Sequence, residues 1–254
     1  MDEPNDSREM RRFRHYITTR FNVGIYSRDA RICIPAEQWM QHRMQLFTRI
    51  TLPSIMNQSC QDFTWLVLID KQTPPDDRRM LADIGYCNMQ LIFPTSPNPW
   101  LAVIEPSDYD LITTRIDNDD AFHRDVVGTI QQSWSAQNAK LHRPWVIVFP
   151  FGFILDLATK EMSVMEYRFN NCPTLLESAQ NAQTIWQWDH SNIPPEIDKH
   201  FITDKPYWLQ VIHSQNLLNR IPVADPRKII HRQLKPKLEF LRYFGIDANC
   251  LPDA

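Results

Sequence analysis

Over the first 140 residues two rhythms of apolar and polar positions alternate. Segments 15–23 (HYITTRFNV), 63–69 (FTWLVLI), 89–93 (MQLIF) and 110–116 (DLITTRI) are short and rich in β-branched and aromatic residues. That is the pattern of strands. Segment 63–69 is a continuous apolar run closed by Asp70, which predicts a central parallel strand covered on both faces. Between the strands the period lengthens. Trp39, Met40, Leu46, Phe47 and Ile50 fall near helical spacing and predict a helix over 36–52, opened by Pro35. A shorter helix follows over 76–85, capped by Asp76, and a third over 121–139. Segment 94–106 is a Pro-rich loop. Beyond residue 140 the pattern is less regular: 145–157 and 162–168 read as a strand pair joined through ATKE.

Strands alternating with helices predict an α/β fold, with an open, mixed, mostly parallel central sheet flanked by helices. No flexible linker marks a boundary, so residues 1–254 read as one continuous domain. Its expected parts are a frayed start (1–12), halves at 13–140 and 141–225, and a C-terminal helical extension (226–254).

Composition narrows the functional classes. Hydrophobic residues are 43% and charged residues 22% of the 254, ordinary globular usage that excludes a largely disordered chain. The net charge of −3 offers no polycation for nucleic acid. Gly numbers only 5, which argues against a P-loop or dinucleotide fold built on glycine-rich phosphate loops. The five cysteines (33, 60, 87, 172 and 250) contain no CxxC pair. They read as reduced thiols, neither a disulfide framework nor a zinc site. Segment 1–12 has no apolar core and is not a signal peptide. The longest apolar run, 146–155, is interrupted by Pro150 and Gly152 and falls short of the ~20 residues a membrane span needs. A cytoplasmic protein is expected.

The sharpest chemical feature is Asp117-Asn118-Asp119-Asp120. D-x-D alone is weak: with 21 Asp, chance gives about 1.7 such triplets, and two occur, at 108–110 and 117–119. Only the second follows an apolar strand, at the carboxyl edge where open α/β sheets bind ligands. Three carboxylates in four residues repel one another unless something positive lies between them. Hard dications such as Mg²⁺ or Mn²⁺ take such oxygens. The bland reading is a solvated turn, with Asp119 or Asp120 capping a helix that starts at Ala121.

Together these segments resemble a glycosyltransferase of the GT-A type and, more narrowly, the bacterial rhamnosyltransferase family. The resemblance covers about residues 13–245. It rests on HYITTRFNV at 15–23, RMQLFTRITLPSIMNQSCQDFTWLVLID at 43–70, LITTRIDNDDAFH at 111–123, NNCPTLLES at 170–178 and WLQVIHSQN at 208–216. It implies a GT-A-like fold whose first half binds a nucleotide-sugar and whose second half faces the acceptor. Asp117 and Asp119 would hold Mn²⁺ or Mg²⁺ against the diphosphate, with Asp120 beside them and His213 as a further ligand. Arg20, Asp70, Arg115 and Asn118 would complete the nucleotide-sugar site, and Asp119 would take part in catalysis. Alternation also allows Arg115 and Asp117 to share a face and simply pair. Arg43 sits on a helix as a second-tier residue or a surface charge. Glu177, in NNCPTLLES, is preferred over Asp189, Glu196 and Asp204 as the base that takes the acceptor proton. His190 is second-tier for that neighbourhood.

Trp186 and Trp188 are candidates for stacking on an acceptor sugar, against the commoner reading as core. Segment 220–242 is basic, with Arg220, Arg227, Lys228, Arg232, Lys235, Lys237 and Arg242. Ile230, Leu234, Leu238 and Leu241 stand at helical spacing, interrupted by Pro236. It reads as a docked terminal helix, or as a peripheral contact to an anionic inner membrane face that suits a lipid-linked glycan. Three functions follow. The first is metal-dependent transfer of a sugar, rhamnose among the candidates, from a dTDP-, UDP- or GDP-linked donor to a glycan. In that case Asp119→Ala abolishes transfer with the fold retained. The second is a metal-dependent phosphoryl-transfer or hydrolase enzyme on the same carboxylates. The third is a non-catalytic carbohydrate-binding protein of GT-A-like shape.

Overall fold

A computed structural model describes residues 12–25, 34–94, 98–137, 143–169, 172–216, 227–231 and 236–253. The expected four strands form: β1 (Phe13–Arg20), β2 (Thr64–Leu68), β3 (Met89–Ile92) and β4 (Asp110–Arg115). They lie parallel in the order β3-β2-β1-β4. Ile17, Leu66, Val67, Leu111 and Ile112 have no exposed surface, because helices and loops cover both faces. β9 (Thr174–Ser178) adds antiparallel to β4. β6 (Trp145–Val148) pairs antiparallel with β9, and β10 (Asp198–Phe201) adds parallel to β6. The result is a mixed, mostly parallel sheet of seven strands.

Three features depart from the sequence reading. Residues 145–157 do not make one strand. The chain leaves the large sheet at Phe149 and Pro150 and re-enters a second sheet as β7 (Phe151–Asp156). There β7 forms the expected hairpin with β8 (Glu161–Tyr167) and lies parallel to β11 (Trp208–Ile212). Second, Ala121 does not open a helix. Ala121–Phe122 form a short strand, β5, against Trp208 and Leu209, and the helix begins at Val126. Neither Asp119 nor Asp120 is therefore an N-cap. Third, the described parts of the C-terminal segment form no α-helix. Lys228–His231 form β12 on the edge of the second sheet. Leu238–Phe244 form a 3₁₀ stretch that buries Leu241 and Phe244, and Arg220, Arg232, Leu234 and Lys235 lie outside the described residues. No helix among the described residues is long and apolar enough to cross a membrane.

The other helices are α1 (Ala36–Leu46), α2 (Leu52–Met56), α3 (Pro75–Ala82) and α4 (Val126–Gln137). A π-helical stretch, Phe47–Thr51, joins α1 to α2. It lies just before Pro53, whose missing N–H breaks the regular ladder. One core cluster runs from the large sheet (Ile17, Trp65, Ile112) through α1 (Trp39, Met40, Met44) to the second sheet (Ile154, Met165, Trp208). Two glycines permit close packing. A Cβ on Gly152 would stand 2.1 Å from the Trp208 ring, and one on Gly245 (φ +69°) would stand 2.6 Å from the Pro53 carbonyl oxygen. The described cysteines, Cys60, Cys87, Cys172 and Cys250, form no disulfide with one another.

Candidate active site

The carboxyl ends of β1, β2 and β4 open on one edge of the large sheet. β1 ends in Arg20, β2 leads to Asp70, and β4 ends in Arg115 and leads through Ile116 into the acidic turn. The Ile116 N–H donates to the Thr18 carbonyl at 3.1 Å, which fixes where that turn starts.

The three carboxylates of the turn point to three different places. Asp117 pairs with Arg115, whose Nη2 and Nε lie 3.1 and 3.3 Å from its Oδ1. Asp119 Oδ2 receives the Arg43 guanidinium in a buried ion pair and lies 3.0 Å from His213 Nε2. Arg43 also donates to Asn118 Oδ1 at 3.0 Å, and Asn118 donates to the Phe21 carbonyl. Asp120 turns inward and accepts the Val211 N–H at 3.1 Å, tying the turn to β11.

Their charge states follow. Burial alone would raise the Asp119 carboxyl, but Arg43 and His213 outweigh it and hold the group well below the usual carboxylate range. Among the described residues Asp120 has one hydrogen-bond donor, the Val211 N–H, and no cation in contact. Burial first, then the charges of Asp119 and Asp117, push it well above that range.

His213 is placed by its own loop. Its N–H donates to Asn216 Oδ1 at 2.6 Å, and its Nδ1 accepts the Gln215 N–H at 3.2 Å. Its Nε2 faces Asp119 Oδ2 and the Asn216 amide nitrogen, 3.0 Å from each. His42 Nε2 lies 3.1 Å from His213 Nδ1. Burial, then His213 and Arg43, bring His42 down to about 4, so it is neutral near pH 7. Arg43, His213 and Asn216, whose Nδ2 lies 3.5 Å from Asp119 Oδ2, thus form the cradle of Asp119, with His42 behind His213. The expected convergence of Asp117, Asp119 and His213 on one cation is not what the side chains do: Asp119 and His213 meet, while Asp117 is committed to Arg115. Among the described residues no group of three His, Cys, Asp or Glu side chains is arranged to hold a metal ion. An ion at Asp119 would also have to share its oxygen with a guanidinium. The residues present do not fit the implied dication.

A second group lies at the ends of β1 and β4. The guanidiniums of Arg20 and Arg115 sit 3.9 and 4.4 Å from the Trp186 ring. Trp186 stacks on Trp100 at 5.4 Å and 15°, and its Nε1 donates to Thr18 Oγ1 at 2.9 Å. These partners take up the ring faces that an acceptor sugar was expected to use. Loss of water, then the like charge of Arg115, bring Arg20 down to about 10. Beside them opens a cavity of about 430 Å³, with Leu68, Trp100 and Gln187 in its wall. Asp70 shapes the neighbouring loop. Its carboxylate accepts the Gly24 and Gln72 N–H groups at 3.2 and 2.8 Å.

The candidate bases are scattered. Glu177 is 4% exposed on β9, and its two oxygens accept the Gln183 and Thr184 N–H groups at 3.0 and 2.8 Å. It is a buried turn anchor, not a helix-surface residue. Burial raises its pKa against the pull of those two donors. Asp204 accepts from the Tyr207 hydroxyl at 3.2 Å, and Glu196 is exposed. Asp189 accepts from Ser191, and its charge acts on both Arg20 and Arg115. His190 lies beside Asp189, and burial, then Arg115, lower its pKa.

The molecule is thus an α/β protein that gathers an acidic turn and two arginines at the carboxyl edge of a mixed sheet. The chain belongs to the family described as "Putative rhamnosyl transferase", which matches residues 10–225, and so to a family of glycosyltransferases. No curated protein matches it. Among solved structures it is similar to S. aureus TarS 1-349, at 11% identity and a TM-score of 0.42, covering 78% of this chain and 60% of that one. It is also similar to S. aureus TarS 1-349 in complex with UDP (12%, 0.42, 79% and 60%) and in complex with UDP-GlcNAc (12%, 0.41, 80% and 59%). The chain therefore spans about 60% of the length of these TarS 1-349 chains.

Proposed function

We propose that this protein transfers a sugar, rhamnose or a related deoxyhexose, from a nucleotide-sugar donor to a glycan acceptor. One observation carries the donor site: two guanidiniums converge on one indole at the sheet's carboxyl edge, beside an aromatic-walled cavity. Like charges held this close favour an anion between them. Arg presents paired N–H donors to phosphate oxygens. A diphosphate at Arg20 and Arg115 would leave the cavity along Trp100 and Leu68 for the base. When the glycosidic bond breaks, negative charge grows on the leaving diphosphate, and donors already fixed by Trp186 stabilise it without reorganising. The sugar class rests on the family's description alone. A hydrolase built on three converging carboxylates is not favoured, because the three diverge.

A thermal-shift panel of UDP, GDP and dTDP, with the matching nucleotide-sugars including dTDP-rhamnose, tests this reading. A ligand that binds only the folded state raises the melting temperature. One nucleotide series should shift the protein, and Trp186→Ala should remove most of that shift. A panel in which no compound moves the transition defeats the proposal.

A further inference from the structure

We infer that Arg43 is a built-in cation at Asp119, and that Arg20 and Arg115 take the charge of the leaving nucleoside diphosphate, so that transfer needs no divalent metal. The inference rests on the donor reading above.

The argument starts from the positions of the charges. Three guanidiniums, of Arg20, Arg43 and Arg115, stand around the acidic turn. Two carboxylates of that turn face them: Asp117 on Arg115 and Asp119 on Arg43. The third, Asp120, faces the Val211 N–H on the inner side of the turn. Asp189 lies nearby with its side chain 58% exposed, so solvent screens it. Arg20 has no carboxylate within ion-pair reach among the described residues; the Trp186 ring and the like charge of Arg115 lie against it, and Asp117 and Asp189 act on it from farther off. The turn is thus compensated by side chains of this chain; Arg20 is left over where a diphosphate would lie, with Arg115, already paired with Asp117, beside it. A dication placed between Asp117 and Asp119 would meet Arg43 and Arg115 at contact range and would be repelled by both.

The Arg43 pair is also a fixed one. Both side chains are about nine-tenths buried, and Arg43 reaches Asn118 and Asp119 with the same Nη1. Its neighbours Trp39, Met40, Met44 and Phe47 are core, and the ring of Trp39 lies 5.1 Å from the guanidinium carbon. An arginine held this way does not swing aside to admit an ion without leaving a buried charge unpaired.

In the transfer itself, the bond from the anomeric carbon to the diphosphate oxygen breaks, and its electron pair goes to that oxygen. The acceptor oxygen bonds to the anomeric carbon, and its proton leaves to water. Arg20 and Arg115 meet the new charge on the departing diphosphate.

Calorimetric titration of UDP, GDP and dTDP into the whole protein, with EDTA and then with Mn²⁺, tests this. The nucleotide that binds should do so in EDTA, with Mn²⁺ changing its dissociation constant by less than about threefold. Arg20→Gln and Arg115→Gln should each weaken it by about tenfold or more. Arg43→Met uncovers Asp119 beside His213, and Mn²⁺ alone should then raise the melting temperature of that variant but not of the wild type. If Arg43→Met does not fold, the wild-type titrations decide. Binding that appears only with Mn²⁺ overturns the inference and leaves the donor reading standing. So does Mn²⁺ uptake by the wild type without nucleotide, or an Arg43→Met protein that folds and takes up none. Absence of binding in both conditions overturns the donor reading, and the inference with it.

Discussion

A carboxylate as buried as Asp119 is stable as an anion only while its partners stay. Arg43 and His213 supply that compensation from α1 and from the end of β11. Removing Asp119 therefore does more than delete a ligand: it strands a guanidinium whose side chain is 7% exposed. Asp119→Ala should cost about 3–5 kcal/mol of stability, the range for breaking a buried ion pair from one side. The buried ion pair argues against the expectation that the substitution spares the fold. Arg43→Met with Asp119→Leu should recover part of the loss, because both charges then leave together. Urea unfolding of the single and double variants measures this, and an Asp119→Ala protein within about 1 kcal/mol of wild type would contradict it. The acidic turn was legible in the sequence because an apolar strand runs into it. Arg43 was harder to place, since most helix arginines are solvated. Its signal was present all the same. It stands four residues from Trp39 and Phe47, and three from Met40 and Leu46, inside the apolar stripe of α1. His42 and Asn216 carry no such local mark, because their roles depend on contacts with residues far away in the chain, 171 apart for His42 and His213.

At the scale of elements, β9 and the turn after it act as a unit. Glu177 ends near the close of β9 and holds the Gln183 and Thr184 N–H groups. The chain then passes through Thr184, at φ +64°, into the short 3₁₀ turn that carries Trp186. The carboxylate thus positions the indole on which Arg20 and Arg115 lie. Glu177→Gln keeps one acceptor oxygen and puts an amide against a backbone donor. It should cost about 1–3 kcal/mol of stability and raise the KM for donor several-fold, with kcat nearly unchanged. Were Glu177 the base, kcat would instead fall by about 10²–10⁴. Steady-state kinetics of the variant separate the two. The elements most legible in the sequence were the parallel strands, where burial on both faces forces continuous apolar runs. The irregular half was less so. The step between sheets at Phe149–Pro150 leaves 145–157 reading as one run, because both strands are apolar. β5 is two residues long and exists because Trp208 and Leu209 pair with it, which no local pattern announces. In the terminal segment Ile230 joins an edge strand and Leu241 a 3₁₀ stretch, so the helical spacing there was coincidental.

For the molecule as a whole, the largest pH effect should come from histidines the fold keeps neutral. His15 is 3% exposed inside β1, with Nε2 on Thr114 Oγ1 at 2.9 Å, and burial brings it down to about 3. His123 is brought down to about 4 by burial and Lys205, and His42 to about 4 by burial and His213. Above the unfolded value of 6.5 these groups are neutral in both states and add no pH dependence. As pH falls from 6.5 toward 4, the unfolded chain takes up protons that the folded chain refuses, so stability falls with pH. For His15 the slope is about 1.4 kcal/mol per pH unit. The half-buried His42 and His123 contribute less, because solvent screens them. Asp120 and Glu177 act in the opposite sense: their raised values make the folded state the better proton binder, offsetting part of the loss. The net prediction is a protein that weakens on mild acidification before its ordinary carboxylates titrate. Chemical denaturation at pH 7, 6 and 5 tests it, with His15→Asn as the control. Asparagine cannot take the proton, so the variant's stability should fall less steeply, by about 1.4 kcal/mol per pH unit. If wild type and variant instead lose stability in parallel, His15 is not held neutral, and the buried Thr114 contact does not exclude its charged form.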